Sequence, residues 1–179
     1  PDAIIIAVGA SETIPPIKGI DKKLVISATH ALEIEDQLKG NIIILGGGTV
    51  GAEIALEQSL IHKNNVSIIE LGDELATQGN MLYKIGLRQT MEKCESLTTY
   101  LNTQCTEVKD NSVIIKNEAG IIKEIPADKV IVCTGMKSLN ILAESFYGIT
   151  PNVTMIGDCV KPRKIMEAVF EGHSIALNL

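Results

Sequence analysis

Apolar residues along this chain fall into short β-branched runs that alternate with stretches of helical spacing. The runs AIIIAVG (3–9), NIIILG (41–46) and VSIIE (66–70) are typical of strands buried on both faces. Between the second and third runs, apolar residues recur at helical spacing from Val50 to Leu60. The pattern predicts a β-α-β unit of about 30 residues, and therefore an α/β fold with a parallel sheet.

The remaining elements follow from the same patterns. Residues 27–40 predict a short helix that ends at a glycine, and residues 81–93 and 165–178 predict two further helices. Residues 98–135 alternate short β-rich pieces with turn pairs, which predicts an antiparallel β-meander before a buried strand. A last strand is expected at VTMIGD, residues 153–158.

Composition and charge exclude several classes of function. The net charge of −6 and the pI near 5.1 argue against a nucleic-acid surface, which needs clustered lysine and arginine. No apolar run approaches the roughly 20 residues that cross a bilayer, so no membrane partner is expected. The four cysteines form no C-x-x-C pair and the histidines lie far apart, so the sequence predicts no metal site and a reduced, cytoplasmic compartment.

The segment IIILGGGTVGAE carries the clearest chemistry, because Gly46, Gly48 and Gly51 form G-x-G-x-x-G between a strand and a helix. The first glycine allows a tight turn, the second lets a pyrophosphate approach the backbone, and the third lets helix and strand pack closely. The amides at the helix start, at Thr49 and Val50, would face the phosphates together with the positive end of the helix dipole. The motif predicts a dinucleotide site, although a tight turn that serves packing alone remains the alternative.

An acidic residue, Glu70, ends the next strand and is placed to accept hydrogen bonds from the adenine-ribose hydroxyls. A 2′-phosphate at that position would meet this charge with Asp73 and Glu74 close behind, and the dozen residues after Glu70 contain no arginine. We therefore expect NAD(H) rather than NADP(H). A solvated carboxylate at a strand end is the alternative for Glu70.

With these residues the chain resembles the two-dinucleotide flavoprotein reductases, in which an NAD(H) domain is inserted into an FAD domain. Four segments match in the order of the family: DAIIIAVGASETIPPIKG, IIILGGGTVGAE, KVIVCTGMKSLN and VTMIGDC. The resemblance implies a Rossmann-like FAD/NAD(P)-binding fold, with a parallel sheet, helices and an antiparallel β-meander, flanked by fragments of an FAD domain. It divides the chain into an FAD-domain fragment and crossover at 1–24, an NAD(H)-binding domain at 25–135 and a C-terminal FAD-domain fragment at 136–179.

The resemblance also implies roles for residues outside the glycine motif. Glu53 would lie near the nicotinamide and the flavin, and Gly135 near the bound NADH. Asp158, next to Gly157, would hydrogen-bond the FAD ribityl chain, and the helix that follows would point its N-terminus at the flavin ring. No residue of the chain is expected to act as a catalytic acid, base or nucleophile, since the cofactors carry the chemistry.

The short connection from Gly135 to Gly157 and the continuation CVKPRKIMEAVFEG resemble the C-terminal part of the old-yellow-enzyme-related NADH:flavin oxidoreductases. That group includes 2,4-dienoyl-CoA reductase, 2-enoate reductase and trimethylamine dehydrogenase. The resemblance implies that the chain, which begins with Pro1 in mid-strand, is cut from a longer polypeptide. A first FAD glycine motif and a barrel with FMN and an iron-sulfur cluster would lie outside it. Electrons would pass from NADH through FAD to an activated carbon-carbon double bond or another acceptor, and the chain alone is not expected to turn over.

Two other functions remain open at this point. The first is a disulfide- or peroxide-type NADH reductase built on the same core, which cysteines upstream of Pro1 would reveal. The second is a non-enzymatic module that senses the ratio of NADH to NAD⁺.

Overall fold

The computed structural model describes residues 1–178, and within them the chain forms two compact units. The larger unit is Ile14–Thr134; the smaller combines Pro1–Thr13 with the C-terminal segment from Gly135 onward. Within the described residues, none of the helices has both the length and the apolar composition to cross a membrane.

The strands, in chain order, are β1 (Ala3–Ile6), β2 (Ala10–Glu12), β3 (Val25–Ser27), β4 (Asn41–Leu45), β5 (Asn65–Ile69), β6 (Leu97–Tyr100), β7 (Thr103–Val108), β8 (Ser112–Asn117), β9 (Ile122–Pro126), β10 (Lys129–Val132), β11 (Met136–Ser138) and β12 (Asn152–Met155). The helices are α1 (Ala28–Glu33), α2 (Thr49–Leu60), α3 (Met81–Glu92), α4 (Asn140–Glu144) and α5 (Ile165–Ala176), with 3-10 turns at Glu35–Gln37 and Gly157–Cys159. The mixture of a parallel sheet, helices and antiparallel strands confirms the predicted Rossmann-like α/β class.

The larger unit is built on a parallel sheet with strand order β3-β10-β4-β5-β6. Successive side chains of a strand point to opposite faces, and β4 uses both. Ile42 and Ile44 belong to the apolar cluster that includes Ile54 of α2, whereas Ile43 and Leu45 belong to the cluster that includes residues of the β-meander. Burial on both faces explains why this strand is continuously apolar in sequence.

The β-meander is an antiparallel sheet with the order β7-β8-β9. It begins later than residue 98, where the sequence predicted its start, because β6 pairs in parallel with β5 as the edge of the main sheet. Asn102 then reverses the chain with a φ of 47°, a left-handed conformation that asparagine tolerates better than most residues. The turn between β6 and β7 therefore separates two sheets that the sequence pattern had joined.

The predicted helix over 27–40 is shorter than expected. It begins where the Ser27 side chain accepts a hydrogen bond from the His30 amide at 3.1 Å, but regular α-helix ends at Glu33 and a 3-10 turn follows. Ile34 interrupts it with a φ of −121°, outside the helical range.

The smaller unit has a thin core. β1 pairs in parallel with β12, and β2 pairs antiparallel with β11. Its fully buried cluster consists of Ile6, Ala143 and Cys159. No described residue of α5 is buried, and Val169 and Phe170 on that helix are largely exposed.

The larger unit begins at Ile14, earlier than the predicted boundary between residues 24 and 25. Ile17 and Ile20 pack against the cluster on the meander side of the sheet, and the Val108 amide donates to the Lys18 carbonyl at 2.8 Å. These contacts join the proline-containing segment to the larger unit. The naming of the units as NAD(H) and FAD domains stays a prediction.

Candidate functional site

The glycine turn between β4 and α2 is the centre of the predicted site. Gly46 has a φ of +103°, a conformation that glycine adopts without strain. Its amide donates to the Ile69 carbonyl at 2.9 Å, and a Cβ at this position would lie 2.5 Å from the Cys133 carbonyl oxygen. The turn is therefore closed by neighbouring strands and admits no side chain at Gly46.

Gly51 marks the closest approach of α2 to the turn. A Cβ built on Gly51 would collide with the Gly46 carbonyl oxygen and would lie 3.2 Å from the Cys133 Cβ. The third glycine of the motif thus allows close packing of the helix on the turn, which is the physical role that its position in the motif suggested.

Gly48 occupies a different environment. It is the N-cap of α2, it is exposed, and a Cβ built on it would have no described atom within 4 Å beyond its chain neighbours. The first amides of a helix, here those of Thr49 and Val50, have no partner inside the helix, and Gly48 has no side chain to cap them. Together with the helix dipole, this bare helix start suits an anion such as a diphosphate.

Glu70 turns its carboxylate toward the glycine turn. Oε2 accepts a hydrogen bond from the Gly47 amide at 2.6 Å, and Oε1 accepts one from the Gly72 amide at 2.7 Å. Both bonds are charge-assisted and short. A carboxylate has about four lone-pair positions, so two remain for the hydroxyls of a ligand.

The segment after Glu70 packs beside the same turn, a feature that the sequence did not single out. The Ala76 amide donates to the Gly47 carbonyl at 2.8 Å, and the Thr49 hydroxyl donates to the Gln78 carbonyl at 3.1 Å. The glycines and polar residues between β5 and α3 are the sequence signal for such a loop. Residues 71–80 thus form one wall of the candidate site.

Basic side chains from α3 reach this wall as well. Arg88 forms an ion pair with Glu74, and its Nε donates to the Leu75 carbonyl at 2.8 Å. Lys84 donates to the Thr77 carbonyl at 3.0 Å. Arg88 lies more than a dozen residues after Glu70 in sequence. The fold nevertheless brings it to the segment that contains Glu74, where it contacts the Glu74 carboxylate and the Leu75 carbonyl.

Glu53 lies on the exposed side of α2 and accepts a hydrogen bond from the Tyr83 hydroxyl of α3. This bond to the carboxylate raises the pKa of Tyr83 above its ordinary value. Sequence patterns assigned Tyr83 no role, since nothing in its helix indicated which residue would face Glu53.

In the smaller unit, Gly157 has a φ of +70°, and its amide donates to Glu171 Oε2 at 2.6 Å. Glu171 also pairs with Arg163. The hydrogen bond from the Gly157 amide lowers the pKa of Glu171 most, and the hydrogen bond from the Arg163 guanidinium lowers it further below its ordinary value. Asp158 lies in the 3-10 turn, where its Oδ1 accepts from the Arg163 amide at 3.1 Å. The following helix, α5, begins only at Ile165.

Gly135 opens the C-terminal part of the smaller unit with a φ of +97°, and its carbonyl accepts from the Thr13 amide at 2.9 Å. Gly135, Gly157 and Asp158 belong to the smaller unit. The residues that the structure brings together around one helix start in the larger unit are Gly46, Gly48, Thr49, Val50, Gly51, Glu53 and Glu70. The role of each in cofactor binding stays a prediction.

Comparison with known proteins identifies one family. A family model described as pyridine nucleotide-disulphide oxidoreductase matches residues 1–172. A metal reductase of Desulforamulus reducens is 30% identical over 97% of this chain, and the match covers 30% of that protein. A cinnamate reductase of Clostridium sporogenes is 28% identical over 99% of this chain and 26% of its own length. The chain therefore spans less than a third of these relatives.

Among solved structures, a complex of 2-naphthoyl-CoA reductase with 2-naphthoyl-CoA superimposes with a TM-score of 0.89 and 29% identity. The superposition covers 100% of this chain and 27% of the reductase chain. The match is consistent with a segment of a larger polypeptide.

Proposed function

We propose, since this chain belongs to the pyridine nucleotide-disulphide oxidoreductase family, that it is the NADH-binding portion of a flavin-dependent oxidoreductase. When bound, NADH supplies a hydride and FAD accepts it. The contribution of the chain is to bind and orient these cofactors.

One observation carries the proposal. Glu70 binds the Gly47 amide at 2.6 Å, which places an acidic acceptor beside the uncapped start of α2. A diphosphate would sit on the amides of Thr49 and Val50 while a ribose hydroxyl donates to Glu70. The open space at Gly48 lets the diphosphate reach the backbone.

The negative charge of the Glu70 carboxylate favours NADH over NADPH. A 2′-phosphate would come close to the Glu70 carboxylate, which costs electrostatic free energy in a half-buried position. Two basic residues reach this wall: Arg88, which pairs with Glu74 and donates from Nε to the Leu75 carbonyl, and Lys84, which donates to the Thr77 carbonyl. Nη2 of Arg88 has no hydrogen-bond partner among the described residues, but the paired Glu74 carboxylate offsets the charge of the guanidinium. The proposal therefore assigns NADH as the preferred coenzyme.

For the intact protein we propose that electrons continue from FAD to an enoate- or enoyl-thioester-type acceptor. The names of two similar proteins, cinnamate reductase and 2-naphthoyl-CoA reductase, support an acceptor with a conjugated double bond. FMN and an iron-sulfur cluster would belong to parts of the polypeptide outside this chain, such as a barrel domain. Within the chain, Gly157 and Asp158 are assigned to FAD, Glu53 to the vicinity of the nicotinamide and the flavin, and Gly135 to the vicinity of the bound NADH.

Calorimetric titration of the purified chain with NADH and with NADPH tests the binding site. Gly48→Val places a side chain where the diphosphate must approach, so NADH binding should fall by at least about tenfold, which corresponds to about 1.4 kcal/mol. Gly86→Val, at an exposed helical glycine with open space around its Cβ position, is the matched control and should bind normally. Unchanged NADH affinity in Gly48→Val would refute the proposed site.

The coenzyme preference is tested with Glu70→Gln, which removes the charge but has one acceptor oxygen for the two amides that Glu70 binds. The measurement is therefore the ratio of the NADH and NADPH affinities, not either affinity alone. The parent chain should bind NADH more tightly than NADPH, and the variant should lose most of that difference. Equal affinity of the parent for both coenzymes would contradict the role assigned to Glu70.

A further inference from the structure

A second polar cluster lies at the opposite end of α2 from the glycine turn. Glu57 lies in the last turn of that helix, His62 follows the helix end, and Glu35 begins the 3-10 turn after α1. One ring nitrogen of His62 and one carboxylate oxygen from each glutamate lie within 4.8 Å of one another. All three residues belong to the larger unit.

The imidazole of His62 is the unusual member of this cluster. Its side chain is only 9% exposed, and within the described part of the chain its Nε2 is buried without a hydrogen-bond partner. Its Nδ1 lies 3.6 Å from Oδ1 of Asp36. A buried polar atom without a partner is costly in a folded protein, so this nitrogen indicates a missing ligand.

Glu35, Glu57 and Asp36 place three carboxylates near His62. Residues 1–178 provide no ion pair between Glu35 or Glu57 and a lysine or arginine. The helix end adds the negative pole of the α2 dipole, because its last carbonyls point toward the cluster side. Carboxylates gathered at a helix C-terminus repel one another unless a cation lies among them.

We propose that Glu35, Glu57 and His62 bind a divalent transition-metal ion of the Zn²⁺ type. An imidazole nitrogen with two carboxylate oxygens is a ligand set that suits Zn²⁺, whereas Mg²⁺ and Ca²⁺ prefer oxygen ligands alone. Asp36, whose Oδ1 lies 3.6 Å from Nδ1 of His62, corresponds to the carboxylate that commonly orients a metal-bound histidine through its second ring nitrogen. Bonds of about 2.0–2.2 Å require the three atoms to move closer, and the rotatable glutamate side chains permit this.

The site would join the 3-10 turn after α1 to the end of α2, and it is independent of coenzyme binding. Sequence spacing did not reveal it, because Glu35 is far from Glu57 and His62 along the chain and the three residues meet only in the fold.

The test is titration of the metal-free chain with Zn²⁺ by calorimetry and with Co²⁺ by visible absorption. We expect one ion per chain, and His62→Gln should weaken binding by at least about tenfold. Glu57→Gln should also weaken it. His30→Gln is the matched control, since His30 is an exposed histidine that faces a single carboxylate, Glu33, at 3.1 Å, and it should bind as the parent does.

Three outcomes would overturn the proposal. These are the absence of stoichiometric binding, unchanged affinity in His62→Gln, and a Co²⁺ spectrum with sulfur charge-transfer bands, which would assign the ion to the free cysteines. Circular dichroism shows whether each variant is folded. If His62→Gln does not fold, Glu35→Gln combined with Glu57→Gln leaves the buried ring intact, and normal binding in this double variant would equally refute the site.

Discussion

Individual residues of the glycine motif have separate physical tasks. Gly51 faces the Gly46 carbonyl at a distance that leaves no room for a Cβ, whereas Gly48 borders open space. The same residue type therefore serves packing at Gly51 and, in the proposed site, would serve ligand access at Gly48. Substitution by alanine separates the two tasks.

Gly51→Ala is expected to destabilise the fold by about 1–3 kcal/mol, because the added methyl group overpacks the contact between helix and turn. Gly48→Ala should change stability by no more than about 0.5 kcal/mol. Urea denaturation followed by circular dichroism measures both. Similar midpoints for the two variants would contradict the assignment of packing to Gly51.

Cys105 provides a pH-dependent prediction. Burial raises the pKa of its thiol from 9.0 to about 11. Between these values the unfolded chain releases a proton that the folded chain retains, so the contribution of Cys105 to stability is complete below about pH 9 and is lost as the pH rises toward about 11.

We expect the stability of Cys105→Ala to fall less steeply than that of the parent across this range. Urea midpoints of both proteins between about pH 8 and about pH 11 measure the difference, and titrating lysines and tyrosines cancel in the comparison. Parallel profiles would show that the thiol does not contribute.

The sequence could predict the residues whose neighbours are local. Gly46, Gly48 and Gly51 follow a fixed spacing, and Glu70 ends the strand that pairs with β4, so the sequence indicated that these residues lie close together. Tyr83 and Arg88 were not, because their contacts with Glu53 and Glu74 depend on how two helices and a loop pack. Such contacts join residues that carry no shared pattern in the sequence.

At the scale of elements, helix α5 is attached mainly by polar contacts. None of its described residues is buried, and Glu171 links it to the Gly157 amide and to Arg163. The amphipathic pattern of residues 165–178 predicted the helix but not this mode of attachment. We therefore expect the attachment of α5 to depend strongly on the Glu171 carboxylate.

Glu171→Ala is expected to increase hydrogen exchange of the amides in Ile165–Ala176, because it removes both contacts. Glu167→Ala is the control, since the contact of Glu167 in the described part of the chain is a hydrogen bond from the local Lys164 amide at 3.1 Å, and its effect should be confined to the first turn. Mass spectrometry of exchanged peptides measures both. An unchanged exchange rate in Glu171→Ala would show that other contacts hold the helix.

The parent should also lose this attachment in acid. The pKa of Glu171 is lowered in the folded chain, so its contribution is present above the ordinary value of 4.5 and is lost as the pH falls through the lower, folded value. Exchange in α5, corrected for the intrinsic effect of pH, should rise across that range in the parent and remain flat in Glu171→Ala.

The strands show why element type was easier to predict than pairing. The short β-branched run of β4, which ends at a glycine, favoured a strand covered on both faces, and the structure confirms it. The β-rich residues of β6 fit equally well into a meander or at the edge of a parallel sheet, and alternation alone does not choose between them. In the structure β6 pairs with β5, and a left-handed Asn102 follows before β7 begins the meander. Sequence patterns do not reveal this turn.

At the scale of the whole molecule, the two units differ in how much apolar surface they bury. The larger unit has apolar clusters on both faces of its sheet. Among the described residues of the smaller unit, the cluster has three buried members, Ile6, Ala143 and Cys159, with partly buried residues packed against them. Stability that depends on burial should therefore be unequal between them.

We expect the smaller unit to lose protection from hydrogen exchange at a lower urea concentration than the larger. Pulsed exchange at increasing urea, with peptides from β1 and β12 compared with peptides from β4 and β10, measures the two transitions. A single coincident transition would show that the chain unfolds as one cooperative body.

The double hydrogen bond of Glu70 has a consequence for altering the coenzyme preference. The same carboxylate that would select the sugar also holds the glycine turn through the Gly47 amide, so a replacement at this position is expected to alter selectivity and the geometry of the turn together. Conversion to NADPH use would more readily begin at Glu74, whose removal would release the Arg88 guanidinium toward an incoming phosphate. Directed evolution for NADPH use should accordingly enrich substitutions in residues 71–80 before it changes Glu70.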